Sequence, residues 1–126
     1  MTSPRPRNLV GMASTPRFLQ GIFSFTGHGL DKPELIDPSL SFVVPEGATA
    51  QPLYFRGGNS SDELVVVTLL RDGSPMRMFP MGAKSGVNIP LRVVEDVDPD
   101  TVLELVIAAP AGTSGEVVVD FGLVLI

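Results

Sequence analysis

Few side chains of this sequence could take part in catalysis, and the first is the single histidine, His28. It lies between two glycines and three residues before Asp31. A flexible histidine beside a carboxylate can act as a general base. No Gly-x-Ser-x-Gly motif that would supply a nucleophile accompanies it. We therefore favour a non-catalytic protein, and an enzyme that uses His28 with the carboxylates Asp31, Asp96 and Asp98 is the less favoured alternative.

The densest acidic cluster lies at residues 95–100, where Asp96, Asp98 and Asp100 have the spacing of the first ligands of an EF-hand calcium loop. The match ends there, because Thr101 stands where the loop needs glycine and Ile107 where it needs glutamate. We interpret the segment as a solvated acidic turn and predict no cofactor. A calcium site of another type on the three aspartates stays an alternative.

Two apolar segments are candidates for a protein interface. One is the methionine- and phenylalanine-bearing segment 75–81, and the other is the chain end, where no polar residue follows the apolar run. An end so apolar should be buried, since chain ends are usually frayed and wet. Either the last strand is central in the fold, or its end packs against another subunit, or the chain continues in a longer protein. The predicted interface residues are Met76, Met78, Phe79, Leu123, Leu125 and Ile126.

Composition excludes several kinds of site. The 126 residues contain no cysteine, so disulfides, thiolate catalysis, iron–sulfur clusters and zinc knuckles are excluded. Apolar residues make up 44 % and charged residues 18 %, which is typical of a globular chain rather than a disordered one. A chain of this length suits one domain with one core.

Charge is distributed unevenly. Residues 1–17 carry three arginines and no acid, whereas all fourteen acids lie in the remainder and the net charge is −5. We predict a flexible basic tail over residues 1–17 and one domain over residues 18–126. The acidic domain disfavours nucleic acid as a partner, because phosphate neutralisation supplies most non-specific affinity.

The absence of certain residues and segments argues against further classes of partner. With no tryptophan and one tyrosine, Tyr54, recognition of polysaccharide by aromatic stacking is disfavoured. No apolar run approaches the roughly 18 residues of a membrane span. The first residues lack the apolar core of a signal peptide, so a cytoplasmic location is the default expectation.

Alternation of apolar and polar residues at every second position is the dominant pattern, clearest over residues 117–125. Asp72-Gly73 predicts a tight hairpin turn. Pro52, Pro80 and Pro90 each remove a ladder donor, so we expect them at sheet edges, bulges or strand starts. The predicted strands cover residues 19–26, 40–44, 49–56, 64–70, 75–81, 87–93, 101–109 and 117–125.

About eight strands at spacings of roughly 8–12 residues predict an all-β fold, an antiparallel β-sandwich that is either immunoglobulin-like or a small jelly roll. The favoured function is association with a protein partner, as a homo-oligomer or as a small accessory subunit of a larger complex. The alternative is a ligand- or calcium-binding module that uses the loops 27–30, 57–61 and 95–100. That alternative requires the three loops to cluster at one end of the sandwich.

Overall fold

A computed structural model describes residues 14–126, which form two antiparallel sheets packed face to face as a β-sandwich. The predicted fold class is therefore confirmed. A single turn of 3-10 helix, Pro38–Leu40, lies between the second and third strands. The nine strands are β1 (Thr15–Thr26), β2 (Gly29–Leu35), β3 (Ser41–Val43), β4 (Ala50–Asn59), β5 (Val65–Arg71), β6 (Ser74–Met81), β7 (Gly86–Pro90), β8 (Val102–Ala109) and β9 (Ser114–Leu125).

The strands divide into a four-stranded and a five-stranded sheet. The four-stranded sheet has the order β1-β9-β4-β7. The five-stranded sheet has the order β2-β8-β5-β6, and β3 pairs with the first half of β8 beside β2. Every pairing between the strands is antiparallel. In the described part of the chain, no helix has the length and apolar character needed to cross a membrane.

The core confirms the alternation read from the sequence. Every odd residue from Val117 to Leu125 is buried, and so are Leu103, Leu105 and Ile107 of β8. The rings of Phe55 and Phe79, one from each sheet, stack in the middle of the core with their centroids 4.3 Å apart. Their packing joins the two sheets, because β4 and β6 belong to different sheets.

Turn and proline chemistry also agree with the prediction. Asp72 and Gly73 connect β5 to β6 with φ of 49° and 82°, the left-handed backbone that a two-residue hairpin turn requires. Pro90 lies on the edge strand β7, Pro80 on the edge strand β6, and Pro52 beside a bulge in β4. At these positions the N–H that proline lacks would not have been needed for hydrogen bonding between two neighbouring strands.

One strand, β2, was not predicted. Its residues are exposed or half-buried along the whole length, so no apolar alternation marks it. It pairs with β8 at Gly29, Glu34 and Leu35, and the residues between bulge out of register. The second half of the loop predicted at residues 27–30 is therefore the start of a strand.

The first strand begins earlier than the predicted domain boundary at residue 18. Thr15 and Arg17 pair with Leu125 and Leu123 of β9, so residues 15–17 belong to the sheet. The predicted flexible basic tail otherwise falls on residues 1–13, which lie outside the described residues.

The predicted interface residues are corrected in part. β9 lies between β1 and β4, so the central-strand alternative explains the apolar chain end. Leu123 and Leu125 consequently face the core of their own sandwich, and Phe79 does the same from β6. These three side chains cannot line an interface of the folded chain, whereas Ile126 is exposed.

Met76 and Met78 do not share a face of β6. The register of β6 on β5 shifts between Arg77 and Pro75, which leaves Met76 as an extra residue in a bulge. Met76 packs against the core, and Met78, which is 64 % exposed, lies on the outer surface. Of the two methionines, only Met78 is available to a partner.

Candidate functional site

The outer face of the four-stranded sheet carries a line of polar side chains across all four strands. Because the odd residues of β9 face the core, its even residues face outward. Asp120 of β9 pairs in register with Gln20 of β1 on one side and with Arg56 of β4 on the other. Arg56 in turn pairs with Asn88 of β7. We call these four residues the polar row.

A second line, one step along the strands, carries the aromatic side chains of this face, of which Phe18 is exposed and Tyr54 half-buried. Gly122 of β9 pairs with Phe18 of β1 and with Tyr54 of β4, and Tyr54 pairs with Pro90 of β7. The Tyr54 ring leans over Gly122, because a Cβ added there would overlap the ring. We call these four residues the aromatic row; Phe18, at its open end, is 53 % exposed.

Tyr54, Arg56 and Asp120 hold one another in a fixed arrangement. The Tyr54 hydroxyl donates to Asp120 Oδ1 at 2.9 Å, and Arg56 Nη2 donates to Asp120 Oδ2 at 2.7 Å. The Arg56 guanidinium carbon lies 5.3 Å from the centroid of the Tyr54 ring, within cation–π range. The carboxylate therefore uses one oxygen for each neighbour and fixes both against the sheet.

Electrostatics at this cluster are balanced. The hydrogen bond to Asp120 raises the pKa of Arg56 above its ordinary value, and the ion pair leaves the guanidinium charge compensated. Desolvation by burial, and then the hydrogen bond to Asp120, raise the pKa of Tyr54 above 10.0. The phenol is thus a neutral hydrogen-bonding group at neutral pH.

Tyr54, Arg56 and Asn88 line an open depression of about 300 Å³. Its lining offers an aromatic ring, a guanidinium with further N–H donors and a side-chain amide that both donates and accepts. Such a set can pack against an apolar ring face and hydrogen-bond hydroxyl groups at its rim. It contains no paired nucleophile and base.

The phenol can be titrated without ambiguity, because the chain has one tyrosine and no tryptophan. We expect its ultraviolet absorbance at high pH to report a pKa above the ordinary 10.0. In Asp120→Asn the pKa is expected to fall, because the hydrogen bond to a carboxylate and its negative charge both favour the neutral phenol. Equal pKa values in the two proteins would contradict the arrangement; Asp62→Asn, a distant exposed carboxylate, is the control.

His28, the predicted general base, lies elsewhere. Its Nε2 is 3.2 Å from Glu34 Oε2, and both side chains are more than half exposed. The carboxylate paired with His28 is therefore Glu34 of β2 rather than Asp31. The pair borders a small hollow between β1 and β2, remote in the sheet register from the polar row.

The acidic cluster does not assemble a metal site. Asp96 accepts from Gln51 Nε2 at 2.7 Å, and the Asp100 N–H donates to the Val44 carbonyl. Within residues 14–126 no group of three or more His, Cys, Asp or Glu side chains could hold a metal ion. The described residues therefore give no support to the alternative of a calcium site on Asp96, Asp98 and Asp100.

The three predicted binding loops do not cluster. The Gly27 N–H donates to the Thr113 carbonyl and the Ser60 N–H donates to the Glu116 carbonyl. The first two loops therefore flank the start of β9. Val97 bonds Ala50 at the start of β4, which is beside the end of β9. Loops 27–30 and 57–61 therefore lie at one end of the sandwich and loop 95–100 at the other, and the requirement of the loop-based alternative is not met.

The residues of the polar row and Tyr54 were missed as a site by the sequence analysis. Tyr54 and Asp120 are 66 positions apart in the chain, so no local motif joins them. The available signal was Tyr54 and Arg56 at a spacing of two, which places both on one face of a strand.

Comparison with known proteins identifies the fold and no family. No protein-family model matches the chain, and no curated protein matches it. The CBM36-1 domain of a multidomain xylanase from the hindgut metagenome of Trinervitermes trinervoides is similar in structure, with a TM-score of 0.54 and 15 % identity over 87 % of this chain and 96 % of that one. A structure of infectious bursal disease virus, Gt strain, gives a TM-score of 0.49 and 14 % identity over 89 % of this chain and 32 % of that one. At these identities the likeness is one of fold.

Proposed function

We propose that the protein is a non-catalytic binding module that takes a neutral carbohydrate on the outer face of its four-stranded sheet. The observation that carries the proposal is the fixed cluster of Tyr54, Arg56 and Asp120, which lies partly exposed on a sheet face beside Asn88. A preformed cluster loses little side-chain freedom when a ligand binds, which favours recognition.

The chemistry of the cluster suits hydroxyl groups better than anions. Asp120 already compensates the charge of Arg56, so no free cation is offered to a phosphate or a carboxylate. The remaining guanidinium donors and the amide of Asn88 can bond neighbouring hydroxyls of one ring, and Gln20, three strand spacings from Asn88, can bond a further sugar unit of the same chain. The Tyr54 ring supplies an apolar surface for the C–H face of a sugar.

The fold similarity supports carbohydrate as the first ligand class to test. The CBM36-1 domain is a carbohydrate-binding module by name, and it has the same sandwich architecture. The low aromatic content of the sequence disfavoured recognition of polysaccharide by stacking on aromatic side chains. The position of the only tyrosine favours it instead, since Phe18 of the same row adds a second ring about 10 Å away across two strand spacings.

Association with another protein is the second candidate. The outer face of the five-stranded sheet has an apolar hollow lined by Leu30, Val66, Leu70 and Met78, among others. Exposed apolar surface of this kind is what a protein partner covers. A role as an accessory subunit and a cytoplasmic location stay predictions.

Binding is tested by affinity electrophoresis against soluble neutral polysaccharides (xylan, mannan, galactan and β-glucan), followed by calorimetric titration of the matching oligosaccharide. In Tyr54→Ala we expect at least about tenfold weaker binding, equivalent to about 1.4 kcal/mol, because the stacking surface and the partner of Asp120 are lost. Arg56→Ala should weaken binding similarly. Lys32→Ala, which removes an exposed cation on β2 of the other sheet, is the matched control. Retention of no neutral polysaccharide, or equal affinity in all variants, would overturn the proposal.

A further inference from the structure

β1 is an edge strand of unusual length. It runs for twelve residues and pairs only with β9 among the described strands. The pairing is continuous from Thr15 with Leu125 to Thr26 with Ser114, and no bulge interrupts it. The opposite edge of β1 therefore presents a straight row of backbone groups.

The hydrogen bonds at the strand end show which residues direct their peptide groups outward. The Gly27 N–H donates to the Thr113 carbonyl at 2.6 Å, one step beyond the pair of Thr26 and Ser114. Because bonding alternates along an antiparallel pair, the odd residues of β1 bond β9 and the even residues face the open edge. Ser60 N–H bonds the Glu116 carbonyl, so the even residues of β9 bond β4, in agreement with this assignment.

The other sheet edges have features along their length that prevent strands from pairing between molecules, whereas β1 has them only at its start, in Pro16 and Arg17. β7 has five residues and ends in Pro90, β6 contains a bulge and two prolines, and β2 is irregular and charged. Residues 18–26 of β1 contain no charged side chain and no proline. Phe18 and Ile22 on this strand are 53 % and 70 % exposed.

We propose that a second copy of this chain pairs antiparallel along β1, with Gln20 of each copy facing the other across a two-fold axis. The two four-stranded sheets then form one continuous eight-stranded sheet. The peptide groups of Phe18, Gln20 and Ile22 are satisfied between the copies, as in recognition by strand addition. The interface is isologous, since the same strand serves both copies.

Side-chain matching favours this register over the one with Ile22 on the axis. With Gln20 on the axis, Phe18 of each copy lies opposite Ile22 of the other, and the two glutamine amides meet between them. An aromatic residue opposite a β-branched residue is a favourable cross-strand pair. With Ile22 on the axis, Phe18 would instead face Thr26 and Gln20 would face Ser24, so less apolar surface would be covered.

The dimer would also join the two polar rows end to end through Gln20. The inference goes beyond the proposed function and does not depend on it. It is tested without ligand, so its failure would leave the carbohydrate proposal standing, and failure of the polysaccharide experiment would leave this inference standing.

The first measurement is the solution mass by size-exclusion chromatography with light scattering, from low micromolar to sub-millimolar concentration. We expect twice the chain mass of 13.4 kDa for the natural sequence, and the single mass for Ile22→Lys, which places a charge opposite Phe18 of the second copy. Val93→Lys makes the same change at a position that is 71 % exposed and distant from β1, and should stay dimeric. A natural chain that is monomeric throughout, or an Ile22→Lys dimer, overturns the inference.

The second measurement tests the register. The chain has no cysteine, so Gln20→Cys and Ser24→Cys each introduce a unique thiol on the same face. The two Gln20→Cys thiols would lie on strands whose paired Cα atoms are about 5.5 Å apart, whereas the Ser24→Cys thiols would be about 26 Å apart along the strand direction. A short bis-maleimide should join only the Gln20→Cys dimer. Any other pattern of crosslinking overturns the proposed register.

Discussion

Phe55→Ala is expected to lower the free energy of unfolding by about 3–5 kcal/mol. Phe55 is completely buried, and its ring stacks on Phe79 of the opposite sheet with an angle of 2° between the planes. The substitution removes the transfer free energy of the ring and leaves a cavity against Phe79, which strands on both sides prevent from closing. Because domains of this size are stable by about 5–15 kcal/mol, this is a large share of the total.

Urea denaturation followed by circular dichroism measures the loss, and Phe55→Leu provides a graded comparison, with an expected cost of about 1–2 kcal/mol. Val43→Ala is the control for stability, because its side chain is exposed and lies outside both the core and β1. A cost below about 1 kcal/mol for Phe55→Ala would show that the two sheets do not depend on this stacked pair.

Gly122→Ala is expected to weaken ligand binding by at least about tenfold in the dissociation constant, with little effect on folding. The added Cβ would occupy the space of the Tyr54 ring, so the ring must swing away from β9. The bond from its hydroxyl to Asp120 would then break, and the preformed cluster would be lost. Stability should change by no more than about 1 kcal/mol, since alanine also reduces the backbone entropy lost on folding.

The expected change is measurable even without a ligand. If the ring leaves Asp120, the pKa of Tyr54 should fall toward 10.0 in Gly122→Ala, because burial and the hydrogen bond that raise it are both reduced. Gly58→Ala is the matched control on the same sheet face: a Cβ there would lie 3.8 Å from the Val118 Cβ, an ordinary contact. An unchanged tyrosine titration in Gly122→Ala would contradict the role assigned to this glycine.

The two proposals share β1 and are still separable. Gln20 and Phe18 belong both to the outer face and to the free edge, so pairing of two copies would extend the face rather than cover it. Mass and crosslinking report on the edge alone. Titration with an oligosaccharide reports on Tyr54 and Arg56 of β4, two strands away from the edge, and on Asp120 of β9, one strand away.

The strands and their inward faces were determined by the sequence itself. Alternation is a local property, because successive side chains of a strand point to opposite faces whatever the partner strand is. For that reason the faces of β8 and β9, the hairpin at Asp72-Gly73 and the edge or bulge positions of the prolines were predicted correctly. β2 lacked the signal since neither of its faces is buried.

Strand order and register were decided only by the tertiary structure. They depend on pairings between residues far apart in the chain, and a local sequence pattern does not specify the partner strand. Tertiary pairing placed β9 between β1 and β4, and so turned Leu123 and Leu125 from interface candidates into core. A single extra residue in β6 put Met76 and Met78 on different sides.

The candidate site, too, was decided only by the tertiary structure. Its residues come from β1, β4, β7 and β9, and only the register aligns Gln20, Asp120, Arg56 and Asn88 in one row. The alternation over residues 117–125 placed Asp120 on the outer face, but nothing in the sequence indicated that Tyr54 lies beside it. Because a hydrogen bond across a sheet requires the two strands to be neighbours in the correct phase, the cluster could be recognised only once the sheet was formed.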